Sequence, residues 1–89
     1  VRALDLNMND IGDDGVKAIA ESPHLSNLRA LNLKSNKVTD IGAEYLANSK
    51  TLKNLKSLQL VVNEISEKGE KFLINSRHLV SLTSLKFRV

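Results

Sequence analysis

Three groups of residues in this chain have side chains that could do chemistry. The first is a column of asparagines, Asn9, Asn36 and Asn63, each 27 residues from the next. Three aligned amides could form a row that holds a ligand. Carboxamides in a turn also suit a structural task, bonding backbone groups of their own and adjoining coils that no strand ladder reaches. The structural ladder is the reading we expect. The second group is His24 and His78, which share a column with Thr51 between them. A common metal would need both rings within a few ångströms, yet two strand spacings of about 4.8 Å separate them. They read as surface residues of a helix-to-strand loop. The third group is the acids and hydroxyls. Asp13 and Asp14 fall in a first helical turn, where negative charge favours the helix dipole. Serines are plentiful, but none has a histidine and a carboxylate in positions a fold would bring beside it. The stretch 11–15, "IGDDG", has too few glycines for a phosphate loop and lacks its lysine. No catalytic residue, metal ligand or cofactor site emerges, so an enzyme is the least favoured class and no cofactor is expected.

The elements that must position these groups follow from a repeat. Leu28, Leu55 and Leu82 keep a step of 27, as do Leu4, Leu31, Leu58 and Leu85, and Leu6, Leu33, Leu60 and Phe87. Ile11, Val38 and Ile65 hold the same register, as do Gly15, Gly42 and Gly69, and then Leu25, Leu52 and Leu79. So many columns in one register define three units, 1–27, 28–54 and 55–81, and the opening strand of a fourth, 82–89. Leu4 and Leu6 alternate about Asp5 as a strand does when one face is buried. Gly12, Thr39 and Ser66 occupy a helix-capping column, and Asp13, Asp40 and Glu67 follow in the first turn. Val16, Ile19 and Ala20, then Ala43, Leu46 and Ala47, give an apolar helical stripe. Gly15, Gly42 and Gly69 lie early in each helix, where glycine costs about 1 kcal/mol relative to alanine. Close approach of the helix to neighbouring backbone is the expected compensation.

Each unit reads L-x-x-L-x-L-x-x-N-x-[IV], a pattern that resembles the leucine-rich repeat over all 89 residues. Within that family it looks like the ribonuclease-inhibitor-like class, with a true helix per unit. Segments such as "AIAESPHLSN" and "LANSKTLKN" are similar to those of many bacterial repeat proteins. The resemblance implies an α/β fold: a right-handed solenoid with a parallel β-sheet on the concave face and helices on the convex face. It also implies the asparagine ladder and a role in binding macromolecules. The geometry agrees, because strand, crossover helix and parallel strand give a sheet on one wall and helices on the other. Helices are wider than strands, so such a stack curves with its helices outside.

The positions between the inward leucines should then face a partner. On the first strand these include Arg2 and Asp5, and on the second Arg29, Asn32 and Lys34. The third offers Lys56, Gln59, Val61 and Val62, and the fourth Lys86 and Arg88. Six cations against one acid put +5 on this face of a chain whose net charge is +3. Val61 and Val62 add an expected pair of exposed apolar residues near Lys34 and Lys56, and apolar groups rimmed by charge mark interaction sites. The leading expectation is a protein-binding module whose concave sheet takes an acidic partner. Nucleic-acid-backbone binding is the rival, disfavoured by a modest bulk charge and by the absence of aromatic platforms from the face. A structural spacer in a larger protein is a third reading.

Composition sets the outer limits. Apolar residues make up 42% and aromatics 3%, so the core must be aliphatic. Cysteine is absent, which excludes disulfides and thiolate zinc sites. It is compatible with the cytoplasm and equally with delivery as an effector. No run approaches the roughly 20 apolar residues of a membrane span, and no membrane role is expected. The pattern is already running at Val1 and is broken off at Val89, so a longer parent solenoid is expected. Uncapped ends would favour end-to-end self-association of the isolated segment.

Overall fold

The computed structural model describes residues 1–88. Its elements follow the repeat in order: β1 (Ala3–Asp5), α1 (Gly12–Glu21), a 3₁₀ turn (Pro23–Leu25), β2 (Ala30–Asn32), α2 (Asp40–Ala47), β3 (Ser57–Gln59), α3 (Glu67–Ile74) and β4 (Ser84–Lys86). The four strands form one parallel sheet in the order β1-β2-β3-β4. Its register is the sequence repeat itself, with Leu4 opposite Leu31, Leu31 opposite Leu58, and Leu58 opposite Leu85. The helices follow the same order, α1 against α2 and α2 against α3.

One aliphatic core joins the two layers. Leu31, Leu33, Leu58 and Leu60 are at most 1% exposed, as are Val16, Ala43 and Leu46 from the helices. The corresponding Leu4 and Leu6 of the first coil, and Leu85 and Phe87 of the fourth strand, are only partly buried, because each has a coil on one side alone. The helix column of Val16 and Ala43 continues as Glu70 in α3, where the carboxylate pairs with the Arg88 guanidinium.

Helix starts differ from the expected capping column at one place. The Thr39 and Ser66 hydroxyls accept the N–H groups of Ile41 and Lys68 at 3.2 and 3.3 Å. Gly12 is not a cap: α1 begins on it, after Ile11, with no side-chain cap bond. Its φ of +67° and its N–H bond to the Asn36 carbonyl at 2.8 Å use the freedom of glycine to turn the chain into the helix.

A left-handed corner follows each of the first three strands. Met8, Ser35 and Val62 have φ of 60, 59 and 60°. For a β-branched residue this conformation is strained, because Cβ crowds the following carbonyl by roughly 1–2 kcal/mol. Val62 is also exposed, so no buried contact repays the strain. Val62→Asn should therefore stabilise the fold by about 1 kcal/mol, since asparagine tolerates the left-handed region. A urea midpoint unchanged or lowered would show that the corner is relaxed.

Candidate functional site

The outward rows of the sheet carry the candidate site. Arg2, Arg29 and Lys56 form one row at the strand entrances, where each backbone carbonyl accepts two N–H groups of the next coil. The Arg2 carbonyl takes those of Arg29 and Ala30 at 2.7 and 3.1 Å, and the Arg29 carbonyl those of Lys56 and Ser57 at 2.7 and 3.0 Å. Their side chains are exposed, as are those of Lys34 and Lys86.

Asp5, Asn32, Gln59 and Lys86 form the next outward row, in direct register. The acceptor atoms of its first three members are turned onto their own coil. Asp5 Oδ1, Asn32 Oδ1 and Gln59 Oε1 each accept the backbone N–H two residues on, of Asn7, Lys34 and Val61, all at 3.0 Å. The groups left to meet a partner are one carboxylate oxygen, two amide NH₂ groups and the Lys86 ammonium. The face is thus rich in donors as well as cations.

Two of the expected site residues sit differently. Val61 is buried, 5% exposed, at the floor of a dip lined by Lys34, Gln59, Lys86 and Arg88. The expected exposed pair is therefore split, and Val62 alone reaches solvent. Val61 shares the outward column of Lys34 and Arg88, but its short side chain is set among theirs and those of Gln59 and Lys86, and these longer neighbours cover it. Arg88 is engaged with Glu70 on α3, which leaves five cations and Asp5 on the face.

The asparagine amides bind backbone. Asn36 is fully buried; its Oδ1 accepts the N–H groups of Asn9 and Ile11 at 2.9 and 3.1 Å, and its Nδ2 donates to the Leu6 and Lys34 carbonyls at 2.8 and 3.0 Å. Asn63 repeats this one coil on, accepting from Asn36 and Val38 at 3.0 and 2.9 Å and donating to the Leu33 carbonyl at 2.9 Å. Exposed Asn9 makes only a local bond, to the Asn7 carbonyl at 3.1 Å.

Two further polar columns were not read from the sequence. Two of the first-turn acids, Asp13 and Asp40, do more than meet a helix dipole, for each reaches forward to the next coil. Asp13 Oδ1 accepts the N–H groups of Thr39 and Gly42 at 2.9 and 3.0 Å, and Oδ2 accepts the Thr39 hydroxyl at 2.5 Å. Asp40 binds the Ser66 N–H and hydroxyl in the same way, at 2.7 and 2.5 Å. Ser49 and Ser76 reach back, donating to the carbonyls of Ala20 and Ala47 at 2.6 and 2.5 Å. Gly42 and Gly69 therefore make room for a carboxylate and an aliphatic side chain rather than for backbone, whereas Gly15 makes room for the Ile11 side chain. A Cβ on Gly42 would lie 2.5 Å from Asp13 Oδ1, and one on Gly69 would lie 2.4 Å from Asp40 Oδ1.

Hydrogen bonds from the Ser66 hydroxyl and N–H hold the Asp40 carboxyl below its ordinary value of 3.8, helped by the Gly69 N–H and the Lys68 ammonium and opposed by partial burial. Because the folded state favours the ionised form, this contribution is complete above the unfolded value and is lost as pH falls through the folded one. The urea midpoint should thus drop on acidification below about pH 4, and less steeply in Asp40→Asn. Identical acid limbs would show that the link between coils does not depend on the charge.

Among the described residues, no three of His, Cys, Asp or Glu converge on a point that could hold a metal ion. No described helix is long and apolar enough to cross a membrane.

Comparisons with known proteins bear on this architecture. A family model for the leucine-rich repeat matches residues 1–20 and 24–47. No curated protein matches the sequence. Among solved structures, leiomodin-1 actin-binding site 2 superposes on 97% of the chain with a TM-score of 0.84 at 23% sequence identity. The chain spans 52% of that structure's length, and likeness at this identity speaks for the fold. With matched repeats in the first two coils, and the same 27-residue register carrying the sheet on to its fourth strand, this chain is similar to leucine-rich-repeat proteins in sequence and in fold.

Proposed function

We propose that the chain is a protein-binding module whose outward sheet rows take an acidic protein surface. In this reading the stack is a right-handed solenoid of the ribonuclease-inhibitor-like class, with the sheet on its concave wall. The supporting observation is the composition of the two rows. Arg2, Arg29 and Lys56 flank a row whose acceptors are mostly turned inward, with Lys34 and Lys86 beside it. Such a face meets carboxylates with charge-assisted hydrogen bonds, which are shorter and stronger than neutral ones. The name of the structural neighbour, an actin-binding site, makes actin the first protein to try.

The test is an NMR titration of the full chain with a short glutamate-rich peptide and, in parallel, with duplex DNA. The proposal expects peptide-induced shifts at Arg29, Lys34 and Lys56 and weak, diffuse shifts with DNA. Shifts confined to the helices would overturn it. Tight DNA binding with a steep salt dependence would favour a nucleic-acid backbone as the partner instead.

A further inference from the structure

Beyond the sheet, each pair of neighbouring helices leaves a groove near its C-terminal ends, and the two grooves differ in charge. Between α1 and α2 the groove is lined by Glu21 and Lys50, which cancel, and by Tyr45, whose ring lies under the Lys17 ammonium at 5.7 Å. One coil on, between α2 and α3, Asn48 stands where Glu21 stood, Arg77 replaces Lys50, His78 replaces Thr51 and Phe72 replaces Tyr45. Lys68 and Lys71 also line this second groove, in the columns of Ile41 and Glu44. No acid lines it. The lining at corresponding places in the fold therefore carries no net charge in one unit and three permanent cations in the next.

Other features of the second groove favour an anion. Its volume is about 480 Å³, within the range of small-molecule sites. Two of the helix-end carbonyls, which would repel an anion, are occupied. The Ala47 carbonyl accepts the Ser76 hydroxyl at 2.5 Å, and the Asn75 N–H bonds back to the Lys71 carbonyl at 3.0 Å. Ser76 Oγ also accepts the N–H groups of His78 and Leu79 at 3.2 Å each, so the loop bearing Arg77 and His78 is pinned to α2. Phe72 is half-buried, and the one cation found over a ring among the described residues lies on Tyr45 instead. A guanidinium and two ammoniums match the oxygens of a phosphate, and an open aromatic face offers stacking to an attached ring.

We propose that the groove between α2 and α3 binds an aryl phosphate group, its oxygens held by Lys68, Lys71 and Arg77 and its ring set against Phe72. A phosphotyrosine side chain is such a group; a nucleotide, an alkyl phosphate that carries its ring on the sugar, offers the same phosphate and stacking chemistry from a second source. The test is an NMR titration of the full chain with phenyl phosphate, with shifts expected at Phe72, Arg77 and His78. Lys68→Ile with Lys71→Glu, residues that already occupy these columns in the second unit, should weaken binding about tenfold, from the loss of two partly screened contacts and one reversed charge. Thermal unfolding should stay cooperative and fall only slightly, through loss of the Lys68 ammonium beside Asp40. The reciprocal change in the first groove, Glu21→Asn, Ile41→Lys and Glu44→Lys, should create binding there. AMP or a phosphotyrosine peptide binding more tightly than phenyl phosphate would identify the source. Absence of shifts, shifts confined to Arg29, Lys34 and Lys56, or binding untouched by the double variant would overturn the proposal. So would hexaglutamate binding the groove more tightly, because the site would then read as one for acidic peptides.

Discussion

Replacing Asn36 by leucine should remove on the order of 3 kcal/mol of stability, a large share of the total for a chain of this size. Leucine has nearly the right volume, so the loss would be one of hydrogen bonding rather than of packing. Two N–H groups of the first coil lose their acceptor and the Leu6 carbonyl loses its donor, while the Lys34 carbonyl keeps the Met8 N–H. Each buried group left unpaired costs about 1–3 kcal/mol, and partial access of water holds the sum over the three near its lower bound. The same substitution at Asn9 should cost no more than about 0.5 kcal/mol, as expected of an exposed position away from such a network. Asn63, which repeats the Asn36 bonds one coil on, should fall with Asn36. Urea denaturation of the three variants gives the ranking, and equal losses at Asn9 and Asn36 would remove the ladder from the account.

Gly42→Ala should invert the usual sign of a glycine-to-alanine change in a helix. Alanine ordinarily gains about 1 kcal/mol there by reducing unfolded-chain entropy. In this helix the new methyl meets Asp13 Oδ1 at 2.5 Å and Val38 Cγ1 at 2.6 Å. Val38 is fully buried and has nowhere to retreat. Moving Asp13 would break its bonds to the Thr39 and Gly42 N–H groups. Overpacking alone costs about 1–3 kcal/mol, so a net loss of about 2 kcal/mol is expected. Adding Asp13→Ala should make the two effects less than additive, because one clash would disappear with the carboxylate. A stabilised Gly42→Ala would mean the two coils slide apart freely and the aspartate link is incidental.

These cases also mark how much was legible in the sequence. The 27-residue step defined the coils, the leucine columns, the parallel register and the asparagine turn, because burial in a stacked repeat demands the same residue at the same place. Asp13 and Asp40 were harder to read. An acid in a first helical turn already has a sufficient local reason, and nothing in one unit shows that its partner lies in the next. The glycine column marks a close approach, but the approaching atoms are side chains, the carboxylate with Val38 or Ile65 at Gly42 and Gly69 and Ile11 alone at Gly15, and not backbone. Val61 keeps the outward direction that alternation gives it, but alternation does not show that a short apolar side chain is covered by the longer Lys34, Lys86 and Arg88 around it. The contrast between the helix grooves lies in columns that do not repeat, where a search for self-similarity is blind.

The sheet face as the protein-binding surface is tested most directly by charge reversal. Two triple variants of the full chain would be compared for affinity to a glutamate-rich peptide: Arg29, Lys34 and Lys56 to glutamate on the sheet, and Lys17, Lys50 and Lys53 to glutamate away from it. The net charge changes equally in both, so bulk electrostatics cannot separate them. If the outward rows are the site, the sheet variant should lose binding by about tenfold or more along with its salt dependence, and the other should stay within a few-fold of the parent. Equal losses in the two variants would show that net charge alone attracts the peptide and that the sheet carries no site.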